Sequence, residues 1–72
     1  MSLSNDAGQR QRWIAKSRQL IGAIEDRRRE ITVAVRGKPP TNIMIKLAES
    51  DVHLAVAQTE LAEAISRMAA WS

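Results

Sequence analysis

A single break decides what this chain can fold into. Both of its prolines stand side by side in the run Gly37-Lys38-Pro39-Pro40-Thr41-Asn42, and neither flanking segment contains another. Proline removes a backbone donor and collides with the preceding turn, so no helix passes through this run. Pro39 also drives Lys38 out of the right-handed α region. Gly37 is the expected left-handed residue that closes a first helix. A second helix is predicted to start at Pro40 or Thr41, with Thr41 or Asn42 as its cap.

The spacing on either side of the break is helical. Ile14, Ser17, Ile21, Ile24, Arg28, Ile31 and Val35 follow alternating three- and four-residue steps, and Trp13, Leu20 and Ala34 widen the stripe on one flank. The segment Ile31 to Val35 is rich in β-branched residues, but it continues the heptad without a turn signal and is read as helix. Gly22 interrupts this helix at a cost of about 1 kcal/mol relative to alanine. Either the cost is simply tolerated or another helix comes close there.

After the break, Leu47, Leu54, Leu61 and Met68 fall seven apart. Ser50, Ala57, Ala64 and Trp71 follow each of them by three, with Ile43 one heptad earlier. Large residues then alternate with small ones along a seam, which lets helices interdigitate. Val52, Ala55, Ala62, Ile65 and Ala69 carry the apolar surface past a single seam, enough for more than one neighbour.

These patterns predict an all-α fold, an antiparallel two-helix hairpin over about residues 9–36 and 40–71, dimerising into a four-helix bundle. Residues 1–8 are expected to be a flexible N-terminus and 9–72 a single helical-hairpin domain. With the turn centred near Pro39, facing residues sum to about 78, which sets Ile31 against Leu47, Ile24 against Leu54, and Arg28 against Ser50 with Asp51 beside it. Pairing with a second copy is expected because a chain of 72 residues is at the small end for independent folding. Such scaffolds are usually completed by disulfides, metal or oligomerisation. Cysteine is absent and there is one histidine, so oligomerisation is the route left.

Arg28 is the unusual seam residue. A polar group at such a position can specify register and oligomeric state, and Asp51 is its expected partner, on the same chain or on a second copy. The plainer alternative is a stem packed along the core with its head in water.

Charge is unevenly divided. Residues 1–38 carry nine Lys/Arg against four Asp/Glu, and residues 39–72 carry two against four, within an overall net charge of +3. The cluster Arg27-Arg28-Arg29 suggests nucleic acid, but Glu25, Asp26 and Glu30 surround it. Glu25–Arg29 and Glu63–Arg67 have the spacing of helix-surface ion pairs. Arg18, Arg29 and Arg36 lie on one flank of the first helix, whereas Arg12, Lys16 and Arg27 lie round the back. A phosphate-tracking surface concentrates its cations and interleaves aromatics, and this arrangement does neither.

His53, between Val52 and Leu54 with Glu49 one turn back, reads as a boundary residue. No spacing suggests a metal site or a cofactor. No glycine-rich phosphate loop, paired nucleophile and base, or carboxylate pair on an apolar face suggests an enzyme or a small-molecule substrate. The longest stretch without Lys, Arg, Asp or Glu, Val52 to Thr59, is far shorter than the ~20 apolar residues of a membrane span. The polar start, Met1 to Asn5, leads into a basic helix and does not resemble a secretion signal. A cytoplasmic location is the expectation.

The leading expectation is a non-enzymatic regulatory or adaptor protein that binds a protein partner through the surface of a dimeric bundle. Its interaction and dimer residues would be Trp13, Leu20, Ile24, Arg28, Leu54, Leu61, Ile65, Met68 and Trp71, with Arg10, Arg12 and Lys16 flanking the tryptophans. The alternative is a dimer that binds RNA or DNA through Arg12, Lys16, Arg18, Arg27 and Arg29. In length, single loop and large/small seam alternation the chain resembles the plasmid-copy-number RNA-binding hairpin family. That resemblance implies two hairpins paired into a four-helix bundle that grips RNA with its first helices; it carries over no functional residue. A third expectation is a structural component of an assembly.

Overall fold

The computed structural model describes residues 3–70. Helix α1 spans Leu3–Arg36 and helix α2 spans Thr41–Ala70, and the two pack against each other as a hairpin. The β-branched segment Ile31 to Val35 is helical throughout, as its heptad position requires. The first helix begins at Leu3, earlier than the expected residue 9, and the second ends at Ala70, so Trp71 lies outside the described residues.

The turn differs from its sequence reading in detail. Lys38, not Gly37, takes the left-handed conformation, with φ of 52°. The last turn of α1 tightens first: the Gly37 N–H donates to the Ala34 carbonyl and the Lys38 N–H to the Val35 carbonyl, each at 3.1 Å. Such three-residue bonds satisfy carbonyls that a helix end leaves free. The reversal is therefore delayed by one residue. It falls on Lys38, where Pro39 already disfavours the right-handed region. The start of α2 is held by the Pro40 carbonyl, which accepts from Ile43 at 3.0 Å and Met44 at 2.9 Å. Pro40 thus stands in the cap position expected of Thr41 or Asn42.

The seam of α1 is the predicted one. Ile14 and Ser17 are buried, and Ile21, Ile24, Arg28, Ile31 and Val35 are half-buried. The seam of α2 is partly different. Leu47, Leu54, Leu61 and Met68 face α1, but the positions between them are Met44, Asp51, Gln58 and Ile65. Ser50, expected in the seam, is exposed, and Ala57 and Ala64 are half-buried on the flank. The step from each leucine is four residues, not three. The reason is the pairing of Arg28 with Asp51, which sets the facing sum at 79 in place of 78.

This hairpin is a rod. It measures 56 × 15 × 14 Å, with a radius of gyration of 16.7 Å, against roughly 11 Å for a compact domain of this length. Ile14 and Ser17 are the only buried side chains among residues 8–70, and α2 buries none. Two helices side by side can bury only the strip between them.

Gly22 faces open space: a Cβ built on it meets nothing within 4 Å. Close approach of α2 therefore does not explain this glycine. Gly22→Ala is expected to raise stability by about 1 kcal/mol, or Tm by roughly 4–8 °C. Thermal melts followed by circular dichroism check this. A lower Tm would mean that something outside the hairpin packs on Gly22.

Candidate interaction surface

The best-defined polar feature is a three-residue layer across the middle of the hairpin. Arg28 projects from the α1 seam towards α2, where Asp51 and Gln58 stand seven residues apart in the facing seam. The Arg28 Nε donates to Asp51 Oδ1 at 2.9 Å and its Nη2 to Oδ2 at 3.3 Å. The remaining Nη1 donates to Gln58 Oε1 at 3.2 Å. The planar guanidinium suits this forked contact, which a lysine could not reproduce. Its bond with Arg28 holds the Asp51 carboxyl below the usual aspartate range, and the same bond holds Arg28 above its ordinary value. The side chains keep 38% and 35% of their surface exposed, so this is a pair at the margin of a groove and not a sealed core contact. Asp51 was legible as a neighbour of Arg28. Gln58 was not, because an uncharged amide between Ala57 and Thr59 gives no signal until the register is known.

The two sides of the hairpin differ. On one, a groove runs beside Ile31, Ala34, Leu47, Ser50 and Leu54. Trp13 and Leu20 project from the same flank of α1, at 61% and 43% exposure. Trp71, the tryptophan expected to accompany Trp13, lies outside the described residues. On the other side, the Arg28 head borders a groove whose α2 wall is Ala55, Thr59, Ala62 and Ser66.

Of the remaining residues expected to form an interface, Ile24, Leu54, Leu61, Ile65 and Met68 are half-buried in the seam of the hairpin. They serve first to join α1 to α2. Sequence reading underrated the back of α2. Ile45, Val52 and Val56 are 52%, 59% and 51% exposed. A shallow apolar depression there is lined by Ile45, Ala48, Val52 and His53, with Glu49 at its edge.

The cations remain dispersed. Arg12, Lys16 and Arg18 are exposed, and Arg10 is half-buried. Arg27 pairs with Glu30 at 3.1 Å and Arg29 with Asp26 at 2.6 Å, both on the exposed surface of α1. Arg29 thus turns to Asp26 and not to Glu25, whereas on α2 Lys46 approaches Glu49 at 3.9 Å. Exposed pairs of this kind contribute little stability, but they neutralise the centre of the arginine cluster.

Among the described residues no three His, Cys, Asp or Glu side chains come together as a metal-binding group. No helix among them is long and apolar enough to cross a membrane. A comparison with known proteins finds no matching family model, no matching curated protein and no matching solved structure.

Proposed function

We propose that this chain is a non-enzymatic helical interaction module of the regulatory or adaptor kind. In this reading two hairpins pair into a four-helix bundle, and the bundle binds a protein partner through its surface. The observation that supports it most is the near absence of a core: among residues 8–70 only Ile14 and Ser17 are buried. The accessible surface is 5821 Å², whereas a compact monomer of 8.0 kDa exposes about 4,450 Å². The excess of about 1,400 Å² exceeds the ~800 Å² that each partner contributes to a standard protein interface.

Trp13 is the anchor of the partner surface in this reading. An indole left outward on a helix is a large apolar group with one polar edge, the residue type that dominates binding hot spots. Leu20 adjoins it and Arg10, Arg12 and Lys16 form a basic rim, which suits a helical segment with apolar anchors and acidic flanks. The nucleic-acid alternative is less well supported, because Arg27 and Arg29 already face carboxylates.

The test is a pull-down with tagged chain from lysate of the source cells, with and without nuclease, at low and moderate salt. The expected result is a protein that survives both treatments. Its affinity for Trp13→Ala, measured by titration calorimetry, should fall about 30-fold, as for a hot-spot residue. Recovery of RNA or DNA instead, with any protein lost on nuclease treatment, would replace this reading with the nucleic-acid one.

A further inference from the structure

We infer that the second copy docks on the free flank of α2, helix against helix and antiparallel. The inference rests on the pairing proposed above and assigns the face and the direction. Every residue of the α2 seam that faces α1 is followed by one belonging to a second heptad track. Its larger members are Ile45, Val52, Thr59 and Ser66, and its smaller members are Ala48, Ala55, Ala62 and Ala69. Not one is charged, although Lys46, Glu49, Glu60, Glu63 and Arg67 lie on the same helix. All are exposed except the half-buried Ala55.

Helix geometry places this track where a bundle needs it. One residue is about 100° of rotation. The second track therefore stands nearly at a right angle to the seam occupied by α1. That is close to the angle between the two neighbours of a corner helix in a four-helix bundle. The solvent-exposed Ile45 and Val52 thus have a structural reason that the isolated hairpin does not supply.

The occupant follows from the order of sizes along the track. Its steps read the same in both directions, so an antiparallel copy meets it in register about a two-fold axis near Ala57. Ile45 then lies level with Ala69 of the second copy, Val52 with Ala62, Thr59 with Ala55, and Ser66 with Ala48. Every layer combines one larger residue with one alanine, so the helix axes can stay evenly and closely spaced. A parallel pair would stack alanine on alanine in one layer and isoleucine on isoleucine in the next, leaving gaps between them. The two-fold arrangement is self-complementary, as a closed dimer requires. Glu49 and Glu63 of opposite copies lie about 3 Å from level at the rim, where water and salt screen them.

This placement also gives the Arg28 layer a role. The groove beside Arg28 has Ala55 and Ala62 on its α2 wall, so a second α2 seated there covers the polar layer and leaves Trp13 and Leu20 open on the other side. A polar layer at such a junction fixes the register of the copies.

The test uses the full chain in sedimentation equilibrium, with circular dichroism to follow folding. The wild type is expected to be dimeric. Ala55→Glu and Ala62→Glu, which bury an unpaired carboxylate in the interface, should each weaken the dimer by about 100-fold or more. Val33→Glu, a charge on the exposed back of α1, should leave it intact. Direction is read separately, because the chain has no cysteine of its own. Under mild oxidation a mixture of Ala48→Cys and Ser66→Cys chains should form the mixed disulfide in preference to either like pair. This readout holds even where a glutamate variant fails to fold. Dimers that persist in both glutamate variants, or a predominance of like-pair disulfides, would overturn the docking face or its direction while leaving pairing itself in place. A wild type that stays monomeric would remove both.

Discussion

Truncating Leu54 to alanine is expected to cost about 2 kcal/mol, the low end for a buried leucine, because this side chain is only half-buried in the hairpin. In a domain of this size that corresponds to a fall in Tm of roughly 8–16 °C. Leu54 stands in the middle of the α2 seam, three residues after Asp51 and four before Gln58, so its removal opens the strip beside the polar layer. Small domains retain only a few kcal/mol of net stability. A loss of this size should therefore leave the variant partly unfolded at physiological temperature. Melts must be run at one protein concentration, since a dimer's Tm depends on it. Val33→Ala, on the exposed surface of α1, is the control and should change stability by no more than about 0.5 kcal/mol. Equal effects from the two substitutions would mean that the α2 seam is not where the chain holds together.

Acid should loosen the hairpin through one group. Arg28 keeps its charge at every working pH, so the Arg28–Asp51 pair is broken only by protonating the carboxylate. The Asp51 carboxyl titrates lower in the folded chain than in the unfolded one, because it accepts two bonds from the guanidinium. A depressed carboxylate contributes stability above its unfolded value, near 3.9 for aspartate. The contribution disappears as pH falls through the lower folded value. The window therefore lies below about pH 4, and neutral or basic pH should leave this contribution unchanged. Protonation also raises net positive charge over the whole molecule. The measurement is consequently a difference, the wild-type Tm minus that of Asp51→Asn from pH 7 to pH 2. The difference should be positive at neutral pH and shrink towards zero at the acid end. A difference that stays constant across the range would remove the pair from any account of stability.

Substitutions at the same layer separate stability from specificity. Asp51→Leu leaves the Arg28 head with Gln58 alone and should lower Tm. Arg28→Leu combined with Asp51→Leu removes the ion pair and leaves Gln58 as the one polar side chain of the layer, and replacing such a pair by apolar residues is often neutral or stabilising. If the layer sets register, the double variant should lose a single oligomeric state even as it melts higher. A double variant with an unchanged oligomeric state would reduce Arg28 to a packed stem.

The helices, their antiparallel order and the site of the turn were legible in the chain itself. Proline cannot continue a helix, and apolar residues at alternating three- and four-residue steps can share a face only on one. Those are local rules, and they also carried Ile31 to Val35 into α1 against its β-branched composition. Which residue reverses the chain was not legible. Gly37 is the residue best suited to a left-handed conformation, but two tightened turns of hydrogen bonding move the reversal to Lys38.

Only the tertiary structure decided the register of α2. From the sequence, the three-step track through Ser50, Ala57 and Ala64 and the four-step track through Asp51, Gln58 and Ile65 are both helical continuations of the same leucines, and the first is the more apolar. The hairpin takes the second track, because the Arg28 guanidinium finds its acceptors there. A leucine stripe is satisfied within a range of rotations, whereas a forked hydrogen bond tolerates few. That choice turned the alanine wall of α2 to the side opposite Trp13 and Leu20, whose flank the seam of α1 had already set. Periodicity defines how many faces a helix has, but packing against a neighbour decides which of them remains free to bind.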